Sequence, residues 1–156
     1  MKIIHSDEPS IKLPLTKSIF LAGPTPRDNQ TLSWRSEAID IFKNFHFDGT
    51  IFVPERKIRE KDYDYNQQVE WEWDCLHASD VILFWVPREK SMMPGFTTNV
   101  EFGFYLSEGN SLVLYGRPEW AEKKGYLDWL YKKVTNRTPY DNLTDMIKYV
   151  VNIFDN

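Results

Sequence analysis

The sequence predicts one α/β domain over residues 1–156, with a mostly parallel sheet of about five strands flanked by helices. Two observations favour this class. Short apolar runs alternate along the chain with longer segments of helical periodicity. One run, at 80–86, is almost continuously apolar, which is typical of a central parallel strand that is covered on both faces. Because strands and helices alternate, we expect a Rossmann-like or flavodoxin-like sheet in the strand order 2-1-3-4-5.

Each element is predicted from its local pattern. Strands are expected where short apolar runs meet Gly, Pro or polar residues, at 18–23, 50–55, 80–86, 111–116 and, as a short fifth strand, near 132–136. Helices are expected where apolar residues recur at helical spacing, at 32–45, 66–79, 97–109 and 142–154. In the second helix, Val69, Trp73 and Leu76 form the expected apolar stripe, and Trp71 with Cys75 makes the opposite side apolar as well.

Three loops follow the first three predicted strands, at 23–30, 54–66 and 87–98, and each combines Pro or Gly with Arg. Ligands of open parallel sheets bind beyond the carboxyl ends of the strands. We therefore expect the functional site to lie among these loops and at the start of the helix that follows the third one.

Composition excludes several classes of function. The formal net charge is −4 and no dense basic cluster occurs, so polymeric nucleic acid is not an expected partner. No apolar run reaches the roughly 18 residues of a membrane span, and the first residues do not resemble a secretory signal. The single cysteine suits a reducing cytoplasm, and the three histidines lack metal-ligand spacing. We expect a cytoplasmic protein that requires no metal or other cofactor.

Glu101 stands in the otherwise mostly apolar run "NVEFGFYL" and has two interpretations. In "TNVE" it can close a capping box with Thr98 at the N-cap. Alternatively, it projects into a site, because the helix starts where the third loop ends. Gly103, an unfavourable residue inside a helix, favours the second interpretation by suggesting that another group approaches the backbone closely.

A second carboxylate, Glu72, lies in the preceding helix, within "VEWEWDCL". Successive helical residues are about 100° apart. Glu72 is therefore separated from the polar cluster of its helix and flanks the apolar stripe beside Leu76. It is either a partly exposed boundary residue or a proton donor whose pKa is raised by burial. Two facing carboxylates, one nucleophilic and one acidic, are the pattern for cleaving a glycosidic bond with retention.

Four segments together resemble the nucleoside 2-deoxyribosyltransferase superfamily over about residues 18–117, namely "IFLAGPTPR", "FVPE", "VEWEWDCLHASDVILFWVPR" and "PGFTTNVEFGFYLSEG". The resemblance implies that Glu101 is the nucleophile that forms a covalent deoxyribosyl-enzyme intermediate. It implies that Glu72, which stands where the family usually has aspartate, protonates the departing base, with Asp74 as a competing candidate.

The same resemblance suggests substrate-binding residues. Gly23 matches a glycine where the backbone approaches the substrate, and Arg27 could pair with a 5′-phosphate. Gly95 replaces the aspartate of the transferases or the serine of the monophosphate hydrolases, so Thr97, Thr98 or Asn99 would supply the missing contact. Trp85 could stack on a base. The alternative interpretation of Arg27 is a solvated loop residue, and that of Trp85 is a core aromatic.

The resemblance implies an enzyme that transfers or cleaves at the N-glycosidic bond of a nucleoside without a cofactor. The alternatives are a nucleoside 5′-monophosphate hydrolase, a nucleotide-binding or sensor module without turnover, and a purely structural partner protein. Members of the superfamily are dimers or larger oligomers, so the resemblance also implies a homo-oligomer.

Overall fold

A computed structural model describes residues 1–9, 15–28, 30–58 and 64–155. The strands in these ranges are β1 (Lys2–His5), β2 (Ser18–Ala22), β3 (Thr50–Val53), β4 (Val81–Trp85) and β5 (Leu112–Gly116). The helices are α1 (Trp34–Asn44), α2 (Tyr65–Ala78), α3 (Phe96–Glu108), α4 (Gly125–Thr135) and α5 (Leu143–Asp155).

The strands form one sheet in the order β1-β3-β2-β4-β5, and every neighbouring pair is parallel. The predicted α/β class with a mostly parallel sheet is therefore confirmed. The first four predicted strands also have the expected relative order, with the first strand between the second and third. Because the strands are parallel, this order puts the carboxyl ends of β3, β2 and β4 side by side.

The predicted fifth strand is wrong. Residues 132–135 complete α4, and Asn136 is its C-terminal cap in the left-handed conformation. The helix prevails because Leu127 and Tyr131, about one turn apart, are both buried in the core. The fifth strand of the sheet is instead β1, an edge strand that pairs with β3 on the side of the sheet opposite β5. It has only four residues, too few for a periodic pattern.

Helices cover both faces of the sheet. Residues of β2 alternate between two hydrophobic clusters, with Phe20 and Ala22 in one and Ile19 and Leu21 in the other. The first cluster includes buried residues of α2, α3 and α4, and the second includes residues of α1 and α5. Double coverage explains why all five residues of both β2 and β4 are buried.

Helix α2 presents a different face to the core from the one expected. Trp71, Cys75 and Leu76 are buried, whereas Val69 and Trp73 are 43% and 51% exposed. Trp71 packs against Phe20 of β2 and Phe52 of β3. The apolar stripe predicted through Val69 and Trp73 thus faces outward. None of the helices in the described ranges is long and apolar enough to cross a membrane.

Candidate active site

A cavity of about 230 Å³ opens at the carboxyl ends of β2 and β3, between α2 and α3. Its walls come from the ends of these strands, the first turn of α1 and the facing sides of α2 and α3. The lining residues are Phe20, Ala22, Gly23, Thr25, Arg35, Pro54, Tyr65, Gln68, Val69, Glu72, Thr97, Thr98 and Glu101. The cavity is therefore at the edge of the sheet where the sequence places the site.

Gly23 brings the chain that leaves β2 against β4. Its φ is +147°, which non-glycine residues rarely adopt. A Cβ at this position would stand 2.1 Å from the carbonyl oxygen of Trp85 and 3.0 Å from the Trp34 ring. Only glycine fits here, and the close approach determines where the loop after β2 meets the cavity.

Sequence reasoning missed several residues that line the cavity, Thr25, Gln68 and Arg35 among them, and Arg35 makes the most contacts with its walls. Its side chain is 2% exposed, and its guanidinium donates hydrogen bonds to the carbonyls of Leu21 at 2.9 Å and Gly23 at 2.6 Å. It also forms an ion pair with Glu55 at 2.5 Å and donates to the Thr25 hydroxyl at 3.1 Å. A cation in the first turn of a helix opposes the helix dipole, which was the available signal that Arg35 has another role.

Glu55 completes this arrangement from the start of the loop that follows β3. Its carboxylate accepts hydrogen bonds from Arg35 and from the hydroxyl of Ser33, the latter at 2.6 Å. Ser33 is also the N-cap of α1 and accepts a hydrogen bond from the Arg35 backbone amide. The start of α1 is thus tied to the ends of both β2 and β3, which form one wall of the cavity.

Glu72 and Glu101 reach the same cavity from α2 and α3. Burial raises the pKa of Glu72, although a hydrogen bond from Gln68 and the charge of Arg35 act in the opposite direction. Burial and the negative charge of Glu72 raise the pKa of Glu101 to about 8, again against Arg35. Burial therefore favours the protonated form of both carboxyl groups, and Glu101 keeps most of its proton at neutral pH. Asp74, the competing acid of α2, is exposed and does not line the cavity.

The capping box predicted for Thr98 and Glu101 is wrong. Helix α3 begins at Phe96, after Gly95 as an N-cap with φ +61° and no side-chain capping hydrogen bond. Thr98 is therefore inside the first turn, where it is 3% exposed and lines the cavity. Since Glu101 is in the second turn, its carboxylate does not serve the helix terminus.

The close approach expected at Gly103 is not present among the described residues, because no atom beyond the local helix backbone lies within 4 Å of a Cβ built there.

The structure brings only some of the predicted substrate-binding residues to the cavity. Gly23 and Thr98 line it together with the two glutamates. Arg27 and Asn99 are exposed outside it, and the Asn99 side chain accepts a hydrogen bond from Arg88. Trp85 is 6% exposed, packs in the core on the α1 and α5 side of the sheet and does not line the cavity. Gly95 acts through the backbone, as the cap of α3.

The structure describes two of the predicted loops only in part. Residue 29 of the first loop and residues 59–63 of the second lie outside the described ranges. Within the described ranges, no cluster of three or more His, Cys, Asp or Glu side chains could hold a metal ion.

A family model described as "Nucleoside 2-deoxyribosyltransferase like" matches residues 16–118, more than half of the 156 residues. The chain belongs to the nucleoside 2-deoxyribosyltransferase-like family. All residues that line the cavity fall inside the family match, from Phe20 to Glu101. Helices α4 and α5 follow the matched region, so the family resemblance concerns the cavity rather than the C-terminal third of the chain.

Comparison with other proteins adds little to this family assignment. A crystal structure of a conserved protein from Enterococcus faecalis V583 superposes with a TM-score of 0.46 at 11% sequence identity. The superposition covers 91% of this chain and 96% of the other, but similarity at this level carries no argument about function. No curated protein sequence matches the chain significantly.

Proposed function

We propose that the protein is an enzyme that cleaves the N-glycosidic bond of a nucleoside and transfers the sugar to a second base. Membership of the nucleoside 2-deoxyribosyltransferase-like family supports the substrate class. The observation that carries the proposal is the pair of half-buried carboxyl groups, Glu72 and Glu101, in one cavity. Such a pair supplies both a nucleophile and a proton donor without a cofactor.

The two carboxyl groups can handle the one proton that this reaction moves. Glu101, as a carboxylate, attacks C1′ of the sugar while the bond between C1′ and the base nitrogen breaks. The electron pair of that bond stays with the base, which takes the proton from Glu72 and leaves as a neutral molecule. An acceptor base then attacks C1′, gives its proton to Glu72 and releases Glu101. One proton shared by two carboxyl groups suffices for both halves of the reaction.

The charge of the cavity favours a nucleoside over a nucleoside 5′-monophosphate. Among the described residues that line it, Arg35 is the sole Lys or Arg, and Glu55 already pairs with it at 2.5 Å. The two remaining charged residues are glutamates. A phosphate dianion would gain little attraction in such surroundings and would meet at least one negative charge. Hydrolysis of a monophosphate remains the second candidate, with the exposed Arg27 as the group that could meet the phosphate.

The decisive experiment measures release of free base. Wild type, Glu101→Gln and Glu72→Gln are incubated with a panel of nucleosides and 5′-monophosphates, with and without an acceptor base, and the products are separated by chromatography. We expect the Glu101 variant to lose at least a thousandfold in rate, because an amide cannot form the glycosyl ester. We expect a loss of 10²- to 10⁴-fold for the Glu72 variant, which lacks only the proton donor.

Glu70→Gln is the matched control, because Glu70 is exposed on the same helix as Glu72 and does not line the cavity. It should retain wild-type rates. If Glu101→Gln turns over as fast as wild type, the proposed nucleophile is wrong. If a nucleoside or nucleotide raises the melting temperature of wild type but no base is released, the protein is a binding module instead.

We also propose that the protein is a homo-oligomer. Apolar side chains are exposed on neighbouring surfaces of α2 and α3, and they form what we call the α2–α3 patch: Val69, Trp73, Phe96, Val100 and Phe104. Trp73 and Phe104 have ring centroids 5.8 Å apart, so the two helices contribute to one continuous surface. Val69 also lines the cavity, which places the patch beside its opening.

A further inference from the structure

Gln68 lies four residues before Glu72 on α2, so the two side chains share one face of the helix, and both line the cavity. The Gln68 side-chain amide donates a hydrogen bond to Oε1 of Glu72 at 2.8 Å. Gln68 is half-buried, which limits competition from water for this bond. A donor at this distance stabilises the ionised form of a carboxyl group and restricts its rotamers.

Glu101 receives no comparable bond. Within the described ranges, no hydrogen bond from a side chain or backbone group reaches its carboxyl oxygens, although Thr98 is one turn earlier on the same helix. The Gln68 contact is therefore one difference between the environments of the two glutamates. Two carboxyl groups that share a proton divide it according to such differences, because each contact that stabilises one carboxylate moves the proton to the other.

Other charged and titratable groups surround the pair, and Arg35 among them does not provide this asymmetry. They come from every segment that packs around the cavity: Arg35 of α1, Glu55 after β3, Tyr65 and Cys75 of α2, and Tyr105 of α3. Arg35 favours the ionised form of both glutamates, and Glu55 compensates its charge. Burial raises the pKa of Cys75 to about 12 and raises that of Tyr105, so both stay neutral near pH 7.

We propose that Gln68 is a positioning residue, which holds Glu72 in one rotamer and as the ionised partner, so that the shared proton rests on Glu101 in the empty site. This inference rests on the proposed function for its catalytic meaning. Attack on C1′ requires Glu101 to be ionised and Glu72 to be protonated. The proton must therefore pass from Glu101 to Glu72 when the nucleoside binds, and Gln68 keeps the empty enzyme in the inactive protonation state.

The test compares variants that remove or strengthen the donor. Gln68→Met retains the length of the side chain and its helix propensity but removes the amide, whereas Gln68→Lys supplies a charged donor. Side-chain carboxyl carbons of ¹³C-labelled glutamate are titrated by NMR in the free protein. Loss of resonances in Glu72→Gln and Glu101→Gln assigns the signals. Gln67→Met and Gln67→Lys are matched controls, because Gln67 is the exposed preceding residue and does not line the cavity.

We expect the Glu72 titration to move up by roughly one pH unit in Gln68→Met and to move down in Gln68→Lys, with no change in the Gln67 variants. In the enzyme, the acidic limb of the pH profile of kcat/KM should move to higher pH in Gln68→Met, together with the Glu72 titration. In Gln68→Lys it should move to lower pH. A residue that only stabilised the fold would change melting temperature without opposite effects of Met and Lys.

Unchanged Glu72 titrations in both Gln68 variants would overturn the inference. The NMR measurement needs no turnover, so it decides about Gln68 even if wild type releases no base. Absence of base release in wild type would instead count against the proposed function. The two failures are therefore distinguishable.

Discussion

At the scale of single residues, Arg35 explains how two acidic side chains can share one half-buried cavity. An isolated buried carboxylate is costly, and two adjacent ones cost more. Arg35 provides positive charge near both Glu72 and Glu101 without leaving an unpaired cation, because Glu55 and backbone carbonyls satisfy its donors. Burial still raises the pKa of both cavity glutamates despite the charge of Arg35. The first prediction follows from the raised pKa of Glu101.

Stability should fall with rising pH through the titration of Glu101. The pKa of Glu101 rises from 4.5 to about 8 on folding, so the folded protein holds this proton more tightly than the unfolded chain. The contribution of Glu101 to stability is complete below about pH 4.5 and is lost as pH rises towards 8, because folding must then bury a charge.

Glu101→Gln cannot ionise and should therefore have a free energy of unfolding close to wild type near pH 5. Near pH 9 it should exceed wild type by on the order of 2 kcal/mol. Urea denaturation at several pH values measures the difference, with Glu70→Gln as the exposed control. A difference that does not depend on pH would show that Glu101 is not titrating in the buried state.

At the scale of elements, α3 begins earlier than its sequence suggests because Pro94 and Gly95 end the preceding loop with a left-handed residue. This start places Thr98 in the first turn and Glu101 in the second, with both side chains towards the cavity. The same helix contains Gly103, half-buried and without a contact that requires glycine. A glycine at such a position lowers helix stability without a structural benefit in the single chain.

Gly103→Ala should therefore raise the free energy of unfolding by about 0.5–1 kcal/mol, because alanine restricts the unfolded chain and fits the helix without strain. Gly109→Ala is the informative comparison. Gly109 caps the C-terminus of α3 with φ +76°, so alanine there should destabilise the protein by a similar amount. Chemical denaturation of both variants measures the opposite signs. Destabilisation by Gly103→Ala would indicate that another surface packs against this position.

At the scale of the whole molecule, the α2–α3 patch is the feature that a single chain leaves unexplained. Its residues Phe96 and Val100 are 73% and 72% exposed, beside the opening of the cavity. Exposed apolar patches of this kind commonly mark interfaces. A second copy of the chain on this surface would bury the patch and lie next to the substrate, in line with the proposed homo-oligomer.

Wild type should sediment as a dimer or larger oligomer, and Trp73→Lys with Val100→Lys should sediment as a monomer. Charged side chains in the centre of an apolar interface are costly because they lose their hydration without a partner. Sedimentation equilibrium gives the masses. Trp129→Lys is the control, because Trp129 is an exposed tryptophan of α4, outside the patch. A monomeric wild type, or an oligomeric double variant, would contradict the proposed interface.

The sequence by itself determined the class of fold, the relative order of strands β2 to β5 and the helices that carry Glu72 and Glu101. Local periodicity predicts such features because a buried strand or helix face imposes its own spacing on the chain. The resemblance to the family could also be recognised from the sequence, because its motifs are short and contiguous. The family match to residues 16–118 confirms it.

The tertiary structure decided which side chains meet in the cavity. Arg35 and Glu55 are 20 residues apart in the chain and form a pair only because β2, β3 and α1 converge. The exclusion of Trp85 and Asn99 from the cavity, and the edge position of β1, likewise depend on packing between distant segments. Periodicity specifies the direction of a side chain within its own element. Only the arrangement of elements specifies what that side chain contacts.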